Sequence, residues 1–169
     1  MRIIVSDSSC LIDLRKASLL NAFLSLPYEI CIPNTLFEEE LLKFTAAQKE
    51  ALVQGGLKVI DIPGPGVLRA QEVIRAKPRL SIHDGFVFAL AESHQESILV
   101  TGDGGLKALA IRHGIEVHGL LWVVDQIHIH GFQNATALAT TLRVLADDTS
   151  VRLPRRELLA AIRRYESKG

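Results

Sequence analysis

The chain has 169 residues, a length that fits one ordinary domain, and its 19 basic and 19 acidic side chains leave no net charge to steer a polyanion from a distance. Hydrophobic residues make up 48% of it and aromatics only 5%, so the core must be aliphatic. Cys10 and Cys31 lie in apolar stretches, form no metal-ligand pattern and are too few for a disulfide framework, which points to reduced core thiols in a reducing compartment.

From the N-terminus, the apolar run Ile3-Ile4-Val5 is too short for a secretory signal and reads as a buried strand. No later stretch approaches the ~20 apolar residues of a membrane helix, so a cytoplasmic protein is expected. Residues 8–14 read as a helix entered at Asp7 or Ser8, and residues 19–26 continue helically to Pro27. Residues 29–32 form a second strand ended by Pro33. A helix follows over 34–44 with Asn34 as N-cap, and another over 46–54 closed by Gly55-Gly56. The spacing predicts a third strand over 57–62, a loop at Pro63-Gly64-Pro65-Gly66 and a helix over 67–76 that stops ahead of Pro78. Residues 81–92 are almost wholly apolar and should form a central buried helix. A strand at 98–100, a glycine-rich turn, a helix over 106–113 and a fifth strand at 115–117 follow. Helices over 120–127, 135–145 and 155–165 complete one domain, with a core over 1–119 and a helical extension over 120–169. Short apolar strands alternating with helices imply an α/β fold of three layers, a mostly parallel sheet of about five strands covered on both faces.

Ligands of an open parallel sheet bind outside the carboxyl ends of its strands. Asp7 follows the first strand and Asp103 the fourth, each just ahead of a helix N-terminus. Asp84 lies in the first turn of the central helix, and Glu38, Glu39 and Glu40 lie early in the helix after the second strand. Such a fold brings carboxylates from four distant segments to one end. Crowded carboxylates repel, and their pKa values rise unless a cation neutralises them. Hard oxygen donors select Mg²⁺ or Mn²⁺, and that combination suits phosphodiester hydrolysis. No Ser-His or Cys-His arrangement is evident. Each acid also has an ordinary structural reading: Asp7 as a helix cap, Ser81 and Asp84 as a capping box, Asp103 as a turn residue, the glutamates as a solvated face. Four independent helix-start acids at one end of one sheet are harder to explain by capping alone, and capping does not exclude a metal role.

These residues carry a resemblance. Val5-Ser6-Asp7-Ser8-Ser9-Cys10-Leu11-Ile12 resembles the opening motif of PIN-domain proteins, Leu80-Ser81-Ile82-His83-Asp84 with Ala89-Leu90-Ala91 resembles their central helix, and Thr101-Gly102-Asp103-Gly104-Gly105-Leu106 resembles their acidic turn. Ile32-Pro33 followed by Leu36 to Leu41 resembles their Pro-then-Glu helix. Order and spacing hold over residues 3–118, about two thirds of the chain. The resemblance implies a metal-dependent ribonuclease with Asp7, one glutamate, Asp84 and Asp103 as its acid quartet. The largest such group, the VapC-like toxins, implies an RNA substrate, a homodimer and a small antitoxin partner.

Family spacing from Pro33 selects Glu39 as the fourth acid, whereas the periodicity of Leu36, Phe37, Leu41 and Phe44 places Glu40 within the buried face and favours it. Ser8 and Thr101 are candidates to orient the acids by hydrogen bonding. Lys107 and Arg112, on the helix after Asp103, are candidates for substrate contact. The apolar Leu120-Leu121-Trp122-Val123-Val124 segment must pack on the sheet or form a subunit interface. The tail sets Arg152, Arg155, Arg156, Arg163, Arg164 and Lys168 against Glu157 and Glu166, a pattern read first as a solvated basic face and second as an RNA contact. His83 reads as an ordinary solvent-facing residue, and the spacing of His128 and His130 argues against a zinc pair. A non-catalytic RNA- or protein-binding module on the same fold is the competing reading.

Overall fold

The structure is a computed structural model that describes all residues, 1–169. Its centre is a five-stranded, wholly parallel sheet in the order β3-β2-β1-β4-β5. The strands are β1 (Ile3–Ser6), β2 (Glu29–Pro33), β3 (Lys58–Ile60), β4 (Ile98–Val100) and β5 (Glu116–His118). The middle strands are the most apolar. Ile4, Val5, Ile32 and all of β4 are shut off from solvent, as strands covered on both faces must be.

Register aligns Val5 with Cys31 on one side and Leu99 on the other, so the carboxyl ends of β1, β2 and β4 finish level. From β1 the chain steps outward to β2 and β3 through α1 (Ser8–Lys16), α2 (Leu20–Leu24), α3 (Asn34–Glu39) and α4 (Ala46–Gln54). It then crosses back to β4 through α5 (Gly64–Ala76) and α6 (Ile82–Glu92), and reaches β5 through α7 (Gly104–Arg112). Right-handed crossovers in opposite directions place the two helix sets on opposite faces. Accordingly α6 packs across β1, β2 and β4 with α5 and α7 beside it. On the other side, α2 meets α8 (Leu120–Ile129), which packs on α9 (Ala135–Asp147), which in turn packs on α10 (Arg155–Lys168). The strand direction reverses its winding between β1 and β4, which makes their carboxyl ends the topological switch point.

Three expectations are corrected. The helix predicted over 34–44 ends at Glu39, because the capping box of Thr45 and Gln48 starts a separate helix and the intervening residues turn to bury Leu41 and Phe44. Asn34 is the first helical residue and not the N-cap. Pro33, with φ near −59°, leads straight from strand to helix and leaves that position to a side chain that cannot cap. The Pro63–Gly66 loop is largely the first turn of α5, since Pro65 loses nothing at a position whose N–H has no helical partner. The apolar α8 is accounted for within the chain: Leu120, Val123, Val124 and Ile127 are all buried in it. No helix is long and apolar enough to cross a membrane.

Candidate active site

At the switch point the chain leaves β1 at Asp7, whose backbone N–H donates to Val100 O of β4 (3.1 Å). Asp7 caps α1: its Oδ1 accepts from Cys10 N at 2.9 Å. Its Oδ2 accepts from Thr101 Oγ1 at 2.6 Å, a bond that joins the ends of the two strands flanking the switch point. Thr101 is fully buried, and its oxygen also accepts from Asp103 N at 3.0 Å. One hydroxyl therefore ties the Asp7 carboxylate to the Asp103 backbone. Asp103 caps α7 through Oδ1, which accepts from Leu106 N at 2.8 Å.

Asp84 closes a reciprocal capping box with Ser81: its Oδ2 accepts from Ser81 N at 3.0 Å, and its own N–H donates to Ser81 Oγ at 3.1 Å. The structural readings of Asp7 and Asp84 as caps are thus both present, and Asp103, read as a turn residue, is a cap as well. Each cap of Asp84 and Asp103 uses one carboxylate oxygen and leaves the other without a hydrogen bond. Glu40, at the end of α3, accepts a hydrogen bond from the Ser8 hydroxyl.

Asp7, Glu40, Asp84 and Asp103 line one cleft of about 490 Å³. Burial pushes the Asp7 carboxyl above its ordinary range; the Thr101 and Cys10 bonds offset part of this, and the charge of Asp84 adds to it. Glu39 lies outside the lining. Its side chain is 62% exposed against 36% for Glu40, and it pairs with His83 Nε2 at 2.7 Å. His83 is correspondingly not an ordinary solvent-facing residue: its ring is held between Glu39 and Glu40, with Nδ1 3.7 Å from Glu40. Lys107 lines the cleft and makes no ion pair, whereas Arg112 lies at the opposite end of α7, about 12 Å along its axis. His128 packs edge-on against Tyr165 while His130 bonds to the backbone of Gln126, so the two share no site.

Sequence reasoning missed two parts of this cleft. Asp13 lines it, one turn beyond Cys10 on α1, and burial raises its pKa too. The i, i+3 spacing of Cys10 and Asp13 was the available signal. The other part is the segment Arg152-Leu153-Pro154 with Glu157: the sequence reads this tail first as a solvated basic face and second as an RNA contact, and no local pattern connects it to residues near Asp7.

No three His, Cys, Asp or Glu side chains approach closely enough to form a ready-made metal cage. The donor set is nonetheless all oxygen, and Mg²⁺ characteristically keeps several waters and takes only one or two carboxylates alongside substrate phosphate. The residues fit a hydrated hard cation and do not fit a closed zinc or calcium cage.

A doubly wound parallel sheet with an acid-lined cleft at its switch point defines the class, an α/β protein with its candidate site at the strand ends. The chain belongs to the PIN-domain family, whose model DUF3368 matches residues 3–167 and so runs through α8, α9 and α10. PIN domains are generally nucleases and usually use divalent metal ions. No curated protein shows significant similarity to the chain.

Proposed function

We propose that this protein is an endoribonuclease that hydrolyses RNA phosphodiester bonds with Mg²⁺ or Mn²⁺. The observation that carries the reading is the convergence of Asp7, Glu40, Asp84 and Asp103, from four separate segments, on one cleft. Asp7, Asp84, Asp103 and Glu40 would hold the cation; Glu40 is chosen over Glu39 because it lines the cleft and Glu39 does not. A bound divalent ion supplies an activated water and stabilises charge on the phosphoryl and leaving oxygens. Thr101 holds the Asp7 carboxylate and the Asp103 backbone, Leu106 N holds the Asp103 carboxylate, and Ser8 bonds Glu40. Buried Asp7 resists ionising alone, which favours a cation beside it. The Lys107 ammonium, unpaired in the lining, is placed to meet a substrate phosphate.

The test is cleavage of single-stranded and structured RNAs in Mn²⁺. Asp7→Asn is expected to lower kcat by roughly a hundredfold or more while keeping the fold. A variant that cuts as fast as the parent overturns the assignment. The lack of a three-residue cage favours one alternative, a non-catalytic RNA- or protein-binding module. That alternative gains if the parent protein binds RNA and cuts none in Mn²⁺.

The toxin role, with a small antitoxin and a homodimer, rests on the family resemblance, because the apolar α8 is satisfied inside the chain. Growth arrest on expression, relieved by Asp7→Asn, supports it; unimpaired growth with active protein removes it.

A further inference from the structure

Six carboxylates line the cleft (Asp7, Asp13, Glu40, Asp84, Asp103 and Glu157), and only two cations, Lys107 and Arg152, stand among them. A polyanionic strand needs fixed positive charge there beyond what hydrated cations supply at the reacting phosphate. We propose that Arg152 is a substrate-positioning residue whose guanidinium, with the Lys107 ammonium, holds backbone phosphates of the RNA strand over the acids. This rests on the nuclease reading for the identity of the strand.

Arg152 differs from the rest of the basic tail. Arg164 pairs with Asp125 at 2.8 Å, Arg143 is bound to Glu166, and Arg155 donates to Ala146 O at 3.3 Å. Lys168 lies over the Tyr165 ring at 5.3 Å. Arg156 and Arg163 have no partner, yet neither lines the cleft. Arg152 alone combines a free guanidinium with a place in the lining.

Its backbone is also held. Asp148 Oδ1 accepts from Ser150 N at 2.9 Å, and Val151 N donates to Asp148 O at 3.2 Å. Lys16, at the end of the helix that Asp7 caps, pairs with Asp148 at 3.7 Å and bonds Ser150 Oγ at 2.5 Å. Val151 and Leu153 pack against the core on either side of Arg152, and Pro154 restricts the backbone where α10 begins. The segment is therefore a braced wall tied to α1. The bracing fixes where the Arg152 side chain starts, and its planar guanidinium presents its donors as a ready-made fork.

The experiment has two independent readouts. RNA cleavage by the parent protein in Mn²⁺ tests the nuclease reading. The Arg152 inference is read by fluorescence anisotropy of a short labelled single-stranded RNA bound to the Asp7→Asn protein over a salt series. Arg152→Gln is expected to weaken binding roughly three- to tenfold and to reduce the slope of log K against log salt by about 0.7, the loss of one single-strand phosphate contact. Arg152→Lys should restore most of the slope, and Arg156→Gln should leave it unchanged. In the active protein Arg152→Gln should raise KM with kcat nearly unaltered. An unchanged slope, an equal effect of Arg156→Gln, or no RNA binding at all overturns the inference, whatever the cleavage assay gives. Equal melting temperatures of the variants establish that the fold is intact.

Discussion

Asp7 is 7% exposed and accepts bonds on both carboxylate oxygens, yet burial still outweighs those bonds and holds its carboxyl above the ordinary 3.8. A folded pKa above the unfolded one means that Asp7 costs nothing while protonated in both states and costs stability once pH rises through the folded value. In metal-free buffer the Tm of Asp7→Asn, measured relative to the parent, is therefore expected to move in the variant's favour as pH rises from about 3 to about 7, whatever the loss of one of the two accepted bonds costs at both pH values. That trend should weaken when Mg²⁺ is added. A Tm difference that stays constant or moves in the parent's favour over this range contradicts this account. Neighbouring Glu39 and Glu40 separate by what they touch. Glu40→Gln should cost roughly ten- to a hundredfold in cleavage, as loss of a metal-holding or metal-orienting group does, while Glu39→Gln should change it less than about threefold. Comparable losses from both would place Glu39 in the site after all. Periodicity favoured Glu40 as part of a buried helix face; in the structure α3 ends before Glu40, whose side chain is 36% exposed and lines the cleft.

Among the elements, the pair α5 and α6 controls where Asp84 sits. Gly85, the residue after Asp84, lies so near α5 that an added Cβ would come within 3.0 Å of Ala70 O and 3.1 Å of Ala70 Cβ. Alanine gains about 1 kcal/mol of helix propensity over glycine. Overpacking against a backbone that cannot swing aside costs about 1–3 kcal/mol and is expected to win. Gly85→Ala should thus lower Tm by a few degrees, with a loss of cleavage as Asp84 shifts; a variant more stable than the parent would show that α5 yields. The apolar run of residues 81–92 announced a buried helix, and the capping box of Ser81 and Asp84 was readable from spacing. How closely α5 approaches was not, because Ala70 and Gly85 meet only once both helices lie on the same face.

Over the whole molecule, the buried apolar cluster runs without a break from β1 and β4 into α8, α9 and α10. Leu158, Ile162 and Tyr165 of α10 are almost completely buried and pack with the α9 row Leu138, Leu142 and Leu145. Tyr165 also donates to Asp125 of α8, and burial together with that carboxylate pushes its phenol up to about 12. At roughly 1.5–3 kcal/mol for each large buried side chain, α10 contributes an amount comparable with the ~5–15 kcal/mol stability of an ordinary domain. Removing residues 155–169 is expected to abolish cooperative melting, as read by calorimetry; a truncated chain that melts cooperatively within a few degrees of the parent would show the helix to be an appendage.

What local chemistry can encode was determined by the sequence alone: strand and helix alternation, the caps at Asp7 and Ser81, and the parallel sheet that puts strand-end acids at one end. Each of these depends on neighbours within a turn or two, or on a periodicity of hydrophobic burial. Only tertiary structure decided that α3 stops at Glu39, that His83 is held between two glutamates, that Asp13 joins the cleft and that Arg152 walls it. Those outcomes depend on contacts between segments up to the length of the chain apart, and packing, not propensity, selects among the local conformations that remain open.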